Sequence, residues 1–151
     1  MTTMNTTTAS TTAPRTLRGV AVVGLLLIIF GAIMAVAGVA TWVAVANELG
    51  AEKITVSQDA TRFAGQTVDT PWEAYSEAET IQKHAMETSG GKTYAELDKA
   101  DPKRQTVMTA SFLRASLFTS VVSFGVALMA TAIGVGFVLA GWALRRVARQ
   151  A

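Results

Sequence analysis

His84 is the only histidine in the chain, and it is the natural starting point for any metal or acid–base chemistry. At helical spacing it shares a polar face with Glu73 and Glu77. Glu77 is nevertheless two turns away, about 10 Å along the axis, whereas metal ligands must converge to near 2 Å from one point. The spacing therefore predicts a solvated surface histidine, with acid sensing as the sharper alternative. The acid pairs Glu77/Glu79 and Glu96/Asp98 have the spacing of exposed helix charges. Glu79–Lys83 and Lys83–Glu87 are opposite-charge pairs at the four-residue interval that favours a helix. Gly90-Gly91-Lys92 lacks the remainder of a phosphate-binding loop. Serine, histidine and aspartate are all present, but nothing in their spacing brings them together. No catalytic residue, cofactor site or metal site is assigned from these patterns.

Cysteine is absent, which removes disulfides, thiolate nucleophiles and Cys-type metal sites from consideration. The remaining charge worth singling out is Arg114, inside Ser111-Phe112-Leu113-Arg114-Ala115-Ser116-Leu117-Phe118. It sits where a polar segment gives way to an apolar one. It is placed to snorkel at an interface, bind a lipid headgroup or pair with a carboxylate. Trp72, Tyr75 and His84 are the other candidate contacts for a partner or a lipid.

The elements that must position these residues follow from the charge layout. Gly19–Ala46 and Ala115–Leu144, 28 and 30 residues long, contain no charged residue, and all 11 acids lie between them. A bilayer core of about 30 Å needs roughly 20 apolar residues of helix, so each segment is long enough to span with tilt. Lipid requires backbone groups to be satisfied within the segment, which selects helix. Ala44-Val45-Ala46 resembles a leader-cleavage motif, but the apolar run is nearly twice the usual leader core of about 7–15 residues. An uncleaved anchor is expected.

The outer flanks carry Arg15, Arg18, Arg145, Arg146 and Arg149 and no acid. The intervening Asn47–Arg114 region carries a net charge of −3. By the positive-inside rule both termini are expected in the cytoplasm and the loop outside a plasma membrane crossed twice, with Trp42 and Trp142 near the two interfaces. The overall charge of +2 hides this asymmetry and is no sign of nucleic-acid binding.

The predicted organisation is a disordered Thr-rich tail (1–18), a first transmembrane helix (19–46), an extracytoplasmic helical domain (47–114), a second transmembrane helix (115–144) and a basic tail (145–151). Met1–Ala13 has no apolar periodicity and cannot offset chain entropy. A solvated leader is the plain reading, a phosphorylated regulatory tail the sharper one. Ile54-Thr55-Val56-Ser57 alternates and suits a short strand or extended stretch. Thr70-Pro71-Trp72-Glu73 is a capping box with proline at the first helical position. Pro71, Ala74, Tyr75, Ala78, Ile81, Gln82, Ala85 and Met86 follow on one face. Glu73, Glu77, Thr80, Lys83, His84 and Glu87 take the other, and Gly90-Gly91 ends the helix. Thr93-Tyr94-Ala95-Glu96 predicts a second, short helix. Asp101-Pro102 predicts the start of a helix continuing to Arg146, about 65–70 Å long.

Small residues recur every seventh position: Gly24, Gly31 and Gly38 in the first apolar segment, Ser120, Ala127, Gly134 and Gly141 in the second. Small residues let backbones approach in lipid, and a seven-residue repeat follows a left-handed supercoil. An antiparallel hairpin with facing stripes is expected; the competing explanation is that glycine and alanine are simply common in such helices. Ser116, Thr119, Ser120 and Ser123 form a hydroxyl track whose groups either bond back to their own helix or reach across. No ionisable residue lies deep in either segment, so an ion or proton pathway is not expected.

Phe63-Ala64-Gly65, Pro71 with Ala74-Tyr75, Lys83-His84-Ala85, Gly90 to Glu96, Asp101-Pro102 and the run Ala110 to Val122 form a set of motifs. Together they resemble a family of small actinobacterial membrane proteins often labelled aromatic ring-opening dioxygenase (small-subunit-like). The resemblance covers about Ile54 to Leu144 and implies, through the label, an accessory role beside an iron-bearing subunit. Extradiol ring opening uses ferrous iron held by two histidines and a carboxylate, which this chain's single histidine does not supply. The fold class expected is an all-α membrane protein. The leading expectation for function is a non-enzymatic accessory or scaffold subunit of a cell-envelope complex, in contact with the bilayer and with other envelope proteins or copies of itself. An extracytoplasmic sensor signalling through the second span, and a dioxygenase accessory subunit, are the alternatives.

Overall fold

A computed structural model describes the chain from Ala13 to Gln150, with side chains described from Arg18 onward. The expected disorder of Met1–Thr12 lies outside the described residues. Among the described residues, three helices make up the regular structure: α1 (Ala13–Ala51), α2 (Pro71–Ser89) and α3 (Arg104–Gln150). α1 and α3 are long and apolar enough to cross a membrane. The helix α1 begins ahead of Gly19, inside the expected tail, and continues past Ala46. Pro14 near its start lacks only an N–H that a first turn does not use, and no breaker intervenes before Lys53, whose φ is +53°.

The chain divides into two units. One comprises the residues up to Val36 and from Ala132 on; the other comprises Ala37–Thr131. In the first, Gly24 faces Gly141 and Arg145, and Gly31 faces Gly134, Phe137 and Val138. The Phe30 and Phe137 rings are 5.8 Å apart.

The second unit holds the folded core. Leu49, Val56, Val68, Ala74, Ala78, Leu117 and Phe124 are buried together, with Trp42, Val45, Phe63, Phe118 and Val121 packed against them. Val56 and Val68 are 1% and 0% exposed, and each stabilises the unit by roughly 1.5–3 kcal/mol on burial. Val56 comes from the segment expected to be extended. Ile54–Ser57 forms no strand, only a single antiparallel bridge, Thr55 to Thr67. Val56 N–H donates to Gln66 O at 2.8 Å, Gly65 N–H to Val56 O at 2.8 Å and Val68 N–H to Ile54 O at 2.9 Å. The turn between them needs Gly65 at φ +74°, a conformation that costs glycine nothing.

α2 starts and stops where its sequence directs. Thr70 is the N-cap, its hydroxyl oxygen accepts from Trp72 N–H, and Gly90 closes the helix at φ +70°. Gly90 and Gly91 N–H donate to the carbonyls of Glu87 and Met86, satisfying groups a helix end leaves open. Its buried face differs from expectation. Glu73, Glu77 and Thr80 are buried, whereas Tyr75 is 46% exposed. Burial of these carboxylates is tolerated because each has a partner: Glu73 meets the Thr70 hydroxyl, and Glu77 accepts from Ser57. Thr80 donates to Ser76 O at 3.0 Å.

The second capping box forms only in part, and without its helix. Glu96 accepts from the N–H and the hydroxyl of Thr93, both at 2.8 Å, but only turns follow. A nucleus of one turn, cut off by Pro102, has too few residues to repay its ordering. α3 then begins at Arg104, two residues after the expected start, with Asp101 accepting from Lys103 N–H at 2.8 Å.

Candidate functional site: a cleft between the loop, α2 and α3

The 57–63 segment is fastened along α2 at successive levels. Ser57 donates twice to Glu77, from its N–H at 2.7 Å and its hydroxyl at 3.0 Å. The Ser76 hydroxyl donates to Arg62 O at 2.8 Å. One α2 turn and more further on, Asp59 Oδ2 lies 3.2 Å from Lys83 Nζ and 2.8 Å from His84 Nε2. Phe63 takes φ +60°, a left-handed conformation that costs a non-glycine residue roughly 1–2 kcal/mol. Its ring packs on the core, which holds it there.

Between this segment and α2, with Val121 of α3 as a further wall, lies a cleft of about 770 Å³. That is the size of an ordinary small-molecule site. Its apolar lining is Phe63, Pro71, Trp72 and Val121; Tyr75, Ser76 and Thr80 add polar edges, and Asp59, Arg62, Glu79 and Lys83 add charge. Trp72 is 65% exposed, and the Tyr75 ring stands edge-on to Phe118 with centroids 5.7 Å apart. The carboxyl of Asp59 is held below the usual carboxylate range, chiefly by the hydrogen bond from His84 and then by Lys83. That of Glu96 is also lowered, by the Thr93 N–H and hydroxyl.

His84 is therefore exposed but engaged with Asp59, not merely solvated. Lys83 reaches across to Asp59 instead of pairing with Glu79 or Glu87 along the helix. A cross-element carboxylate already fixed by the loop wins over a flexible neighbour on the same helix. His84 also lines a shallower groove of about 390 Å³ with Ile81, Thr109 and Leu113. Among the described residues no three His, Asp or Glu side chains converge as a metal set would. One imidazole and one carboxylate do not fit the ligand requirement of a ferrous ring-opening centre.

Arg114 lies apart from the cleft lining. Its guanidinium sits 5.2 Å from the Phe118 ring centroid, its Nε is buried without a hydrogen-bond partner, and no described carboxylate pairs with it. The small residues are placed as follows. Gly38 lies against Ala127 and Thr131 in the second unit, while Gly24 with Gly141 and Gly31 with Gly134 belong to the first. The Ser120 hydroxyl donates to Ser116 O at 3.3 Å, and Leu117 and Phe124 are the buried residues on either side of it. Thr119 and Ser123 likewise donate back, to Ala115 and Thr119 carbonyls. At the arginine-rich end, Trp142 and Arg145, Arg146 and Arg149 surround a small hollow.

Sequence reasoning missed Asp59, Arg62 and Phe63 as parts of a site. All three are ordinary loop residues by type, and the setting of Arg62 and Asp59 comes from contacts 14 and 25 residues away. Compared with known proteins, the chain matches no family model, no curated protein and no solved structure.

Proposed function

We propose that the chain is an integral membrane protein, an antiparallel two-helix hairpin with both termini in the cytoplasm and an extracytoplasmic unit between the crossings. The observation that carries this reading is uncovered apolar surface. Only 11% and 17% of the most apolar windows of α1 and α3 are buried within the chain, where a soluble core helix would be mostly covered. Leu26, Ile33, Val36, Val122, Leu128 and Leu139 are all at least 60% exposed, far more apolar surface than a water-soluble monomer exposes. Contacts ascending α1 from Gly24 to Gly31 descend α3 from Gly141 to Gly134, which supports the antiparallel sense.

The role we assign is that of a non-enzymatic accessory or scaffold subunit in the cell envelope. Its cleft and the exposed Trp72 are surfaces for contact, while Asp59 and Glu77 are engaged in holding the loop. Alkaline carbonate treatment of membranes should leave the chain in the pellet. Mild-detergent pull-down should recover a stoichiometric partner, and recovery only as a lone monomer would overturn the scaffold role. A second reading, a sensor acting through α3, draws on Val121 and Phe118. Both belong to α3, and they line the cleft and touch Tyr75 respectively. An added ligand that protects α3 amides from exchange would favour it.

A further inference from the structure

We infer that the cleft holds the headgroup and proximal chain of one zwitterionic phospholipid, a lipid with a phosphate and a primary ammonium. This inference rests on the membrane reading above. The charge in the cleft is the first argument. Of its four charged residues, Asp59 is engaged with Lys83. Arg62 and Glu79 have no oppositely charged partner within 4.0 Å among the described residues. What remains for a ligand is one guanidinium and one carboxylate. A phosphate takes a guanidinium through paired N–H donors, and an ammonium takes a carboxylate. A net-anionic headgroup would satisfy Arg62 and leave Glu79 facing like charge.

The second argument is the direction of the apolar lining. Val121 lies seven residues beyond Arg114, about 10 Å further along α3, within the uncharged Ala115–Leu144 stretch. The cleft thus joins charged loop residues to a wall on the uncharged part of α3. Phe63 and Trp72 lie on the same lining. A water-soluble zwitterion would not use that wall; an acyl chain would. Trp72, mostly exposed, is an indole of the kind that favours the boundary between headgroups and chains. About 770 Å³ suits a headgroup, glycerol and the first part of a chain, with the remainder lying along α3 in the bilayer.

The test uses the full chain in mild detergent, given equal amounts of dioleoyl phosphatidylethanolamine and dioleoyl phosphatidylglycerol and read by native mass spectrometry. One phosphatidylethanolamine should be retained in preference to phosphatidylglycerol. Glu79→Gln should abolish the preference, and Arg62→Ala should lower retention of both lipids by about tenfold or more, with Arg62→Lys partly restoring it. Equal retention of the two lipids by the unaltered chain, or retention unchanged in Glu79→Gln and Arg62→Ala, would overturn the inference. So would binding of chain-free phosphoethanolamine as tight as that of the lipid. Should either variant misfold, brominated-chain phosphatidylethanolamine gives an independent reading. It should quench the emission that distinguishes the unaltered chain from Trp72→Phe, and do so more than its phosphatidylglycerol counterpart; equal quenching sinks the idea. Carbonate extraction separates the two levels. Release into the supernatant overturns the membrane reading, whereas retention without lipid preference overturns this inference alone.

Discussion

Ser57 donates to both carboxylate oxygens of Glu77, its backbone N–H to Oε2 at 2.7 Å and its hydroxyl to Oε1 at 3.0 Å. This pair of hydrogen bonds to a buried acid ties the loop to α2 more firmly than a neutral pair would, because hydrogen bonds to charged groups contribute about 1.5–3 kcal/mol. Glu77→Gln should lower the stability of the outer unit by about that amount, since an amide offers only one acceptor oxygen to two donors. Thermal melts of the full chain in detergent, followed by circular dichroism, should show the loss. Ser57→Ala, which keeps the backbone donor, should be milder. Equal melting temperatures for all three proteins would contradict this account of the loop.

The glycine contacts give a second prediction. A Cβ at Gly31 would lie 2.5 Å from Gly134 O, and one at Gly134 would lie 2.5 Å from Ala35 N. Backbone atoms cannot step aside as a flexible side chain does, so Gly31→Leu and Gly134→Leu should each cost about 1–3 kcal/mol through overpacking. Cysteines introduced at Phe30 and Phe137, whose rings lie 5.8 Å apart, in this cysteine-free chain should crosslink readily in the parent and weakly in either leucine variant. Gly125, with open space around its would-be Cβ, should accept alanine without loss.

Acid should release the loop. Asp59's carboxyl is held low by His84 and Lys83, so its ionised form is favoured by folding. That contribution is complete above the ordinary carboxylate range near pH 4 and is lost as pH falls through the lowered folded value. Melting temperature plotted against pH should therefore fall on the acid side, and the fall should be shallower in Asp59→Asn. Parallel curves for the two proteins would show that the pair does not couple to stability.

Topology is open to direct labelling. Lys99→Cys should react with a membrane-impermeant maleimide on intact cells, and Gln150→Cys only after permeabilisation. Labelling of Gln150→Cys on intact cells would reverse the proposed orientation.

The helices were legible because their signals are local. Uncharged length marks α1 and α3, and Thr70, Pro71 and Gly90 bound α2 through bonds made within a turn of themselves. The faces of α2 were less legible. Periodicity sorts residues by polarity, yet Glu73 and Glu77 are buried because Thr70 and Ser57 supply their hydrogen bonds, and a helical wheel does not include the second of these. Thr93 and Glu96 show the reverse case, a motif whose glutamate reaches back to its cap and that still builds no helix. The cleft was invisible for a related reason: Asp59, Arg62 and Phe63 acquire their setting from a turn whose path depends on Gly65 and on burial of Val56 and Val68.

The seven-residue spacing of the glycines leaves an ambiguity that the ring pairs resolve. Sliding α3 by one repeat would bring each of Gly24, Gly31 and Gly38 against another small residue, so the close approaches alone admit more than one alignment. The Trp42–Phe124 pair, 4.7 Å between centroids, does not survive such a slide: position 117 or 131 would offer leucine or threonine in place of the ring. The glycines thus set how near the helices come, and the bulky rings act as a key that selects a single register from a periodic lock.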